Sequence, residues 1–173
     1  DETPADGGVL HCYIAGKGAF RLQHHEGRTA HAFHATRDGQ IQMATDYLDL
    51  NDLAGAADGP WTGAPADMVV GHVHLQVGSV PEAEAFYSGT LGFAVTTHYP
   101  GAAFYGSGGY HHHLATNVWN SRGTGPRSYP STGLAAVELL ADPGELAAIR
   151  ARAGKGTLAD PWGTVITLTQ KGN

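Results

Sequence analysis

The chain has 173 residues, of which 42% are hydrophobic and 15% charged, and its formal net charge is −6 at pH 7. This size allows one compact domain with its own core and an extra arm. The acidic balance and the absence of a basic run argue against nucleic-acid binding, and no apolar stretch approaches the ~18 residues of a membrane span. The single Cys12 excludes an intramolecular disulfide and a multi-cysteine zinc site. The acidic, polar start is unlike a signal peptide, so a cytoplasmic location is expected.

The first 65 residues carry weak signals and are expected to form an N-terminal arm and a linker. Residues 9–14 favour a strand. Four histidines lie within residues 24–34 without a period of 2 or 3.6, so a loop or arm is favoured there over a metal site. A run rich in Gly, Pro and Ala then places the start of the main domain at residue 66, and that domain extends to residue 173.

Residues 67–120 predict a first βαβββ module. Its helix covers residues 81–90, with Ser79 as N-cap and Pro81 in the first turn. Its strands are predicted over residues 69–77, 94–99, 102–106 and 110–119.

Residues 133–171 predict a second, contracted module. A strand over 134–140 precedes a helix over 145–153, which follows Asp142-Pro143 and stops at Gly154. A last strand covers 164–169. Few residues separate Gly154 from the final turn, so little room remains for the second strand of this module.

Strand alternation assigns the polar side chains to faces. In the first strand, His72, His74 and Gln76 lie opposite the apolar Val73, Leu75 and Val77. In the fourth strand the polar face is predicted to carry His111, His113, Asn117 and Trp119, and the second module adds Glu138 to the same surface. Imidazoles with a carboxylate suit Fe(II), Mn, Ni or Zn, so a metal or ligand cup is expected.

Several motifs resemble the vicinal oxygen chelate superfamily, which includes glyoxalases, bleomycin-resistance proteins and extradiol dioxygenases. They are GHVHLQV at 71–77, AEAFY at 83–87, LGF at 91–93, GGYHHHL at 108–114 and DPWG at 160–163. Residues 38–170 are similar to the C-terminal half of catechol-2,3-dioxygenase-like proteins. The resemblance implies an α+β fold with paired βαβββ modules that form a cupped mixed sheet with helices outside.

The resemblance also implies a divalent metal with one ligand at His72. The positions of the other two family ligands hold Ala136 and Thr167, which cannot replace them. We therefore expect His113 and Glu138 to complete a site for Fe(II) or Mn(II) with His72. His74 and Tyr110 are predicted catalytic residues, and the predicted pocket residues are Gln76, His111, Asn117 and Trp119.

Three functions follow from this interpretation. The first is a ring-cleaving extradiol-type dioxygenase, or the C-terminal half of one, acting on a small aromatic substrate. The alternative is a metal-free small-molecule binding protein of the bleomycin-resistance kind, which the lost ligand positions favour. The third is a half-protein that needs a partner chain to close its cup. A homodimer is expected because exposed sheet edges favour pairing.

Overall fold

A computed structural model describes residues 9–15, 19–25, 70–131, 133–154 and 157–172. The first two ranges form an antiparallel hairpin of β1 (Val9–Ala15) and β2 (Ala19–His25). The strand predicted over residues 9–14 is confirmed, whereas β2 extends into the histidine run that was predicted as a loop. The predicted linker and the boundary at residue 66 lie outside the described residues.

The first module has the predicted order of one strand, one helix and three strands. The helix begins as α1 (Val80–Glu84) and continues as a π-helical segment (Ala85–Thr90). The strands are β3 (Val73–Gln76), β4 (Ala94–Tyr99), β5 (Ala102–Gly106) and β6 (Leu114–Asn117). They form a mixed sheet in the order β3-β6-β5-β4, in which β3 and β6 are parallel neighbours and the other pairs are antiparallel.

Local sequence signals set the start of the first module's helix. The Ser79 hydroxyl accepts a hydrogen bond of 3.4 Å from the Glu82 N–H, and Pro81 occupies the first turn, as predicted. Both parallel strands are shorter than predicted, and β6 starts late because residues 107–113 form a bend instead of an extended strand. This bend becomes important at the candidate site.

The second module contains two strands and one helix. They are β7 (Ala136–Ala141), α2 (Pro143–Ala153) and β8 (Val165–Gln170), and the two strands pair in parallel. The predicted contraction is thus confirmed. Asp142 occupies the N-cap position of α2 without a side-chain hydrogen bond, and Gly154 ends the helix with φ of 74°. Within the described ranges, no helix has the length and apolar character that a bilayer span requires.

The hydrophobic core lies between the helices and one face of the strands. Leu75, Val77, Leu114 and Val118 of the first module share a buried cluster with residues of the second module, including Val137 and Ile166. The predicted apolar faces of these strands are therefore confirmed. The opposite face of the first sheet carries a smaller buried cluster of Ala102, Phe104 and Ala115. The result is an α+β fold in which His74 of β3 projects away from the helices, toward Phe104 and Trp119.

Candidate metal site

Three buried imidazoles meet at one end of the first sheet. His72, His111 and His112 are each 3% exposed. Each offers a ring nitrogen, and these potential ligand atoms all lie within 4.8 Å of one another. The ring centroids of His72 and His112 are 4.3 Å apart, those of His111 and His112 are also 4.3 Å apart, and those of His72 and His111 are 6.2 Å apart.

The backbone explains why residues distant in sequence meet here. β3 and β6 are parallel neighbours with Val73 opposite Leu114, so the residues just before each strand lie side by side. The Val73 N–H donates to the His113 carbonyl at 2.9 Å, and the His113 N–H donates to the Tyr105 carbonyl at 2.8 Å. These two bonds hold the residue just before β6 against both neighbouring strands, β3 and β5.

The bend before β6 changes which histidines face His72. Strand alternation placed His111 and His113 on one face and His112 on the other. Because β6 begins only at Leu114, alternation does not apply to these residues. The rings of His111 and His112 both approach His72, and His112 also packs 5.0 Å from Phe104. Sequence reasoning missed His112 for this reason, although the Gly108-Gly109 turn before it was a signal that the strand starts later.

His113 lies beside the cluster in a different environment. Its Nδ1 accepts a hydrogen bond of 3.3 Å from the Ser107 N–H. A neutral imidazole with an accepting Nδ1 carries its proton on Nε2, which leaves neither nitrogen ready to bind a metal. The centroid of its ring lies 4.7 Å from that of Tyr110 and 6.0 Å from that of Phe93. Burial lowers the pKa of His113.

Tyr110 packs between two histidines. Its ring centroid lies 4.3 Å from that of His111 and 4.7 Å from that of His113. Burial raises the pKa of Tyr110, so its hydroxyl remains protonated near neutral pH. The residue predicted to be catalytic is therefore in direct contact with the histidine cluster.

His74 lies two residues beyond His72 on the face away from the helices. The centroid of its ring lies 5.7 Å from that of Trp119 and 6.0 Å from that of Phe104. Burial lowers the pKa of His74 from 6.5 to about 4, so the ring is neutral at neutral pH. The indole of Trp119 is 52% exposed and donates a hydrogen bond of 2.9 Å to the Pro100 carbonyl, which holds it at the rim of this face.

Gln76 and Asn117, both predicted pocket residues, pair across β3 and β6. The Asn117 Oδ1 accepts a hydrogen bond of 3.2 Å from the Trp119 N–H. This bond fixes the turn that carries the indole. These two residues therefore lie toward the other end of the strands from the histidine cluster.

Glu138, the predicted carboxylate ligand, is exposed on β7. Its Oε1 accepts a hydrogen bond from the Thr169 hydroxyl of β8. In the strand register Glu138 pairs with Thr167, and Ala136 pairs with Val165. Among the described residues, the group of potential ligands around His72 consists of His111 and His112, so the structure does not bring Glu138 or His113 into it.

A separate cavity of about 790 Å³ opens at the opposite end of the sheet. Its lining includes Ser79, Tyr99, Val118 and Arg122, together with His98 and Glu84, whose Nε2 and Oε2 atoms are joined by a hydrogen bond of 2.9 Å. None of the three clustered histidines lines it. Because it lacks their donor set, we regard the histidine cluster and not this cavity as the candidate site.

The cluster fits a divalent transition metal. Imidazole nitrogen is a ligand for Fe, Zn, Cu and Ni in proteins, and three buried imidazoles at the entries of two adjacent strands form a convergent donor set. Metal–nitrogen bonds are ~2.0–2.1 Å, so two ligands across one ion lie up to roughly 4 Å apart. The potential ligand atoms of the three histidines lie within 4.8 Å of one another, a limit slightly above that span.

Known proteins match the chain over this region. The Glyoxalase/Bleomycin resistance protein/Dioxygenase superfamily matches residues 69–170. A catechol-2,3-dioxygenase from Bacillus subtilis (strain 168) is 40% identical over 101 residues, which cover 57% of this chain and 35% of the relative. The chain therefore spans about a third of the length of that curated relative.

Solved structures align with part of the chain at low sequence identity. A lactoylglutathione lyase from Agrobacterium tumefaciens aligns with a TM-score of 0.44 and 16% identity, over 61% of this chain and 96% of that one. A glyoxalase-related enzyme from Fulvimarina pelagi aligns with a TM-score of 0.40 and 19% identity, over 60% and 88% of the two chains.

Proposed function

Because the chain belongs to the Glyoxalase/Bleomycin resistance protein/Dioxygenase superfamily, we propose that it is a ring-cleaving, extradiol-type dioxygenase, or the C-terminal half of one. The proposed substrate is a small catechol, and the proposed cofactor is Fe(II) or Mn(II). The 40% identity to a catechol-2,3-dioxygenase supports the reaction class. The observation that carries the metal dependence is the convergence of His72, His111 and His112.

A bound ion would supply a Lewis acid that holds the two catechol oxygens and dioxygen side by side. The chain itself would supply an aromatic surface for the substrate ring at the half-exposed indole of Trp119. Phe104 and Ala115 lie on the face of the sheet that carries His74, and Trp119 stands at its rim. Stacking on the indole of Trp119 would leave the oxygen edge of the substrate ring toward His74.

His74 is proposed as the acceptor of a catechol proton. It follows His72 by two residues on the same strand face, and the rings of Phe104 and Trp119 fix its orientation. Tyr110 is proposed to position His111, because the two rings are in contact at 4.3 Å. A general base of this kind contributes ~10²–10⁴-fold to a rate, so His74→Ala should lower turnover by that range while substrate binding persists.

The test is dioxygen consumption by the metal-loaded full chain in the presence of catechol. We expect equimolar use of catechol and dioxygen and a ring-opened, coloured product. His72→Ala should abolish both, and His98→Ala, which alters an exposed histidine paired with Glu84, should leave both intact. Absence of ring opening with both Fe(II)-loaded and Mn(II)-loaded protein would overturn the proposal.

A second candidate is a metal-free binding protein of the bleomycin-resistance kind. It is supported by Ala136 and Thr167, which stand where the family resemblance implies ligands, and by the contracted second module. Calorimetric titration of an aromatic ligand distinguishes the two. Affinity that is unchanged by a chelator, without dioxygen use, would favour this candidate.

The proposal also includes the cellular location of the protein and its oligomeric state. A cytoplasmic location and a homodimer were predicted from the sequence, and the two-stranded parallel sheet of β7 and β8 supports pairing because parallel sheets are normally covered on both faces. Sedimentation analysis should then give twice the mass of the 18.0 kDa chain. A monomer at all concentrations would reject the dimer.

A further inference from the structure

We propose that the first module alone holds the metal ion, through the imidazoles of His72, His111 and His112, and that β7 and β8 supply no ligand. This inference deepens the proposed function and rests on its metal dependence. It replaces the predicted set of His72, His113 and Glu138, and it separates metal binding from the second module.

The parallel pairing of β3 and β6 is the first observation that supports a metal site within the first module. His72 immediately precedes β3, and His111 and His112 lie just before β6. The register sets Val73 opposite Leu114, so the strand entries are adjacent at one sheet end. All three donors therefore belong to the first module, at the entries of two strands that are hydrogen-bonded to each other.

The burial of the three histidines and the arrangement of their ring nitrogens are the second observation that supports this site. Each of the three side chains is buried to the same degree, with 3% exposure. Their potential ligand atoms lie within 4.8 Å of one another, and the neighbouring rings are steeply inclined, by 56° for His72 and His112 and by 80° for His111 and His112. Inclined rings can direct nitrogens toward a common centre without stacking on each other.

The second module presents side chains that cannot complete the same centre. Ala136, at the position where the family resemblance implies a ligand, has only a methyl group. Glu138 is exposed and already accepts the Thr169 hydroxyl. His113, the other predicted ligand, uses its Nδ1 to accept the Ser107 N–H. The two groups that were expected to join His72 are therefore bonded elsewhere.

The experiment is a titration of the full chain with Co²⁺, followed by its visible absorption and by competition with a coloured chelator. His111→Gln and His112→Gln should each weaken Co²⁺ affinity by at least ~100-fold, because even residues that only orient ligands contribute ~10–100-fold. His113→Gln and Glu138→Gln are the matched variants and should bind Co²⁺ within a few-fold of the parent. Strong loss in either of those two, with binding retained in His112→Gln, would overturn the inference.

Because His111 and His112 are buried, their variants are checked by circular dichroism before titration. If either does not fold, X-ray absorption of the unaltered Co²⁺-loaded chain provides the test through the imidazole scattering pattern. Three imidazoles are expected from the cluster, and a shell of two imidazoles with a carboxylate would reject it. Co²⁺ binding by the cluster without catechol cleavage would overturn the proposed function alone, whereas cleavage that survives His112→Gln with full metal content would overturn this inference alone.

Discussion

The hydroxyl of Tyr87 donates a hydrogen bond of 2.8 Å to Oδ2 of Asp160, which joins the first module's helix to the turn before β8. Oδ1 of the same carboxylate accepts the N–H groups of Trp162 at 3.0 Å and Thr164 at 2.7 Å. Both partners are buried. This contact is therefore a strong polar link between the two modules.

Replacing Tyr87 with Phe should destabilise the protein. A buried hydrogen bond to a charged group contributes about 1.5–3 kcal/mol, and the free energy of unfolding should fall by that amount in urea denaturation. Tyr99→Phe is the control, because Tyr99 is exposed, and it should change stability by less than ~0.5 kcal/mol. Equal stability of Tyr87→Phe and the parent would contradict this role.

Alkaline pH should unfold the protein through its buried tyrosines. Burial raises the pKa of Tyr105 from 10.0 to about 12, and burial followed by the charge of Asp160 raises the pKa of Tyr87 further. Because the unfolded chain loses the Tyr105 proton first, the stabilisation from Tyr105 is complete below pH 10.0 and is lost as pH rises through about 12. Denaturation measured across this window should show falling stability, with a shallower fall in Tyr105→Phe. A flat profile would contradict the shifts.

Gly78 should tolerate no side chain. A Cβ built there would lie 2.1 Å from the Thr124 carbonyl oxygen and 2.6 Å from Nε1 of Trp162. Gly78→Ala should therefore cost about 1–3 kcal/mol through overpacking between the modules. Gly89→Ala is the matched control, since nothing lies within 4 Å of its Cβ, and it should be neutral or stabilising. Thermal melting of both variants checks the difference.

Gly106 should control the geometry of the histidine cluster without belonging to it. A Cβ at this position would lie 2.3 Å from the Tyr110 carbonyl oxygen and 2.8 Å from Cγ2 of Thr96. Gly106→Ala should displace the bend before β6 and lower Co²⁺ affinity by ~10-fold or more, since small misplacements at a site have large effects. Gly125→Ala, which meets nothing within 4 Å, should bind normally. Unchanged affinity in Gly106→Ala would show that the bend does not set the site.

Local patterns were sufficient to predict much of the fold. The bounds of β4 and β5 match the prediction because Pro100-Gly101 and the glycines after Gly106 mark both strand ends. The helix was predicted because Ser79 caps it. The contraction of the second module was predicted because too few residues lie between Gly154 and the final turn for the module's second strand.

The candidate site was predicted only in part. Alternation placed His72 and His74 on the polar face of β3, and the core residues of that strand confirm this face. Alternation failed for His112 because hydrogen bonds from His113 and Val73 hold residues 107–113 in a bend, and such long-range bonds leave no periodic signal. The metal-binding roles of Glu138 and His113 remain predictions from the sequence. The structure does not bring these two side chains into the group around His72.

The most direct test of the account is the metal content of protein that has never been exposed to a nickel column. Elemental analysis should find about one Fe or Mn per chain, as a single histidine site requires, and this content should disappear in His72→Ala and persist in His98→Ala. A parent protein without bound metal, or a His72→Ala variant that keeps it, would contradict the assignment of the histidine cluster as a metal centre.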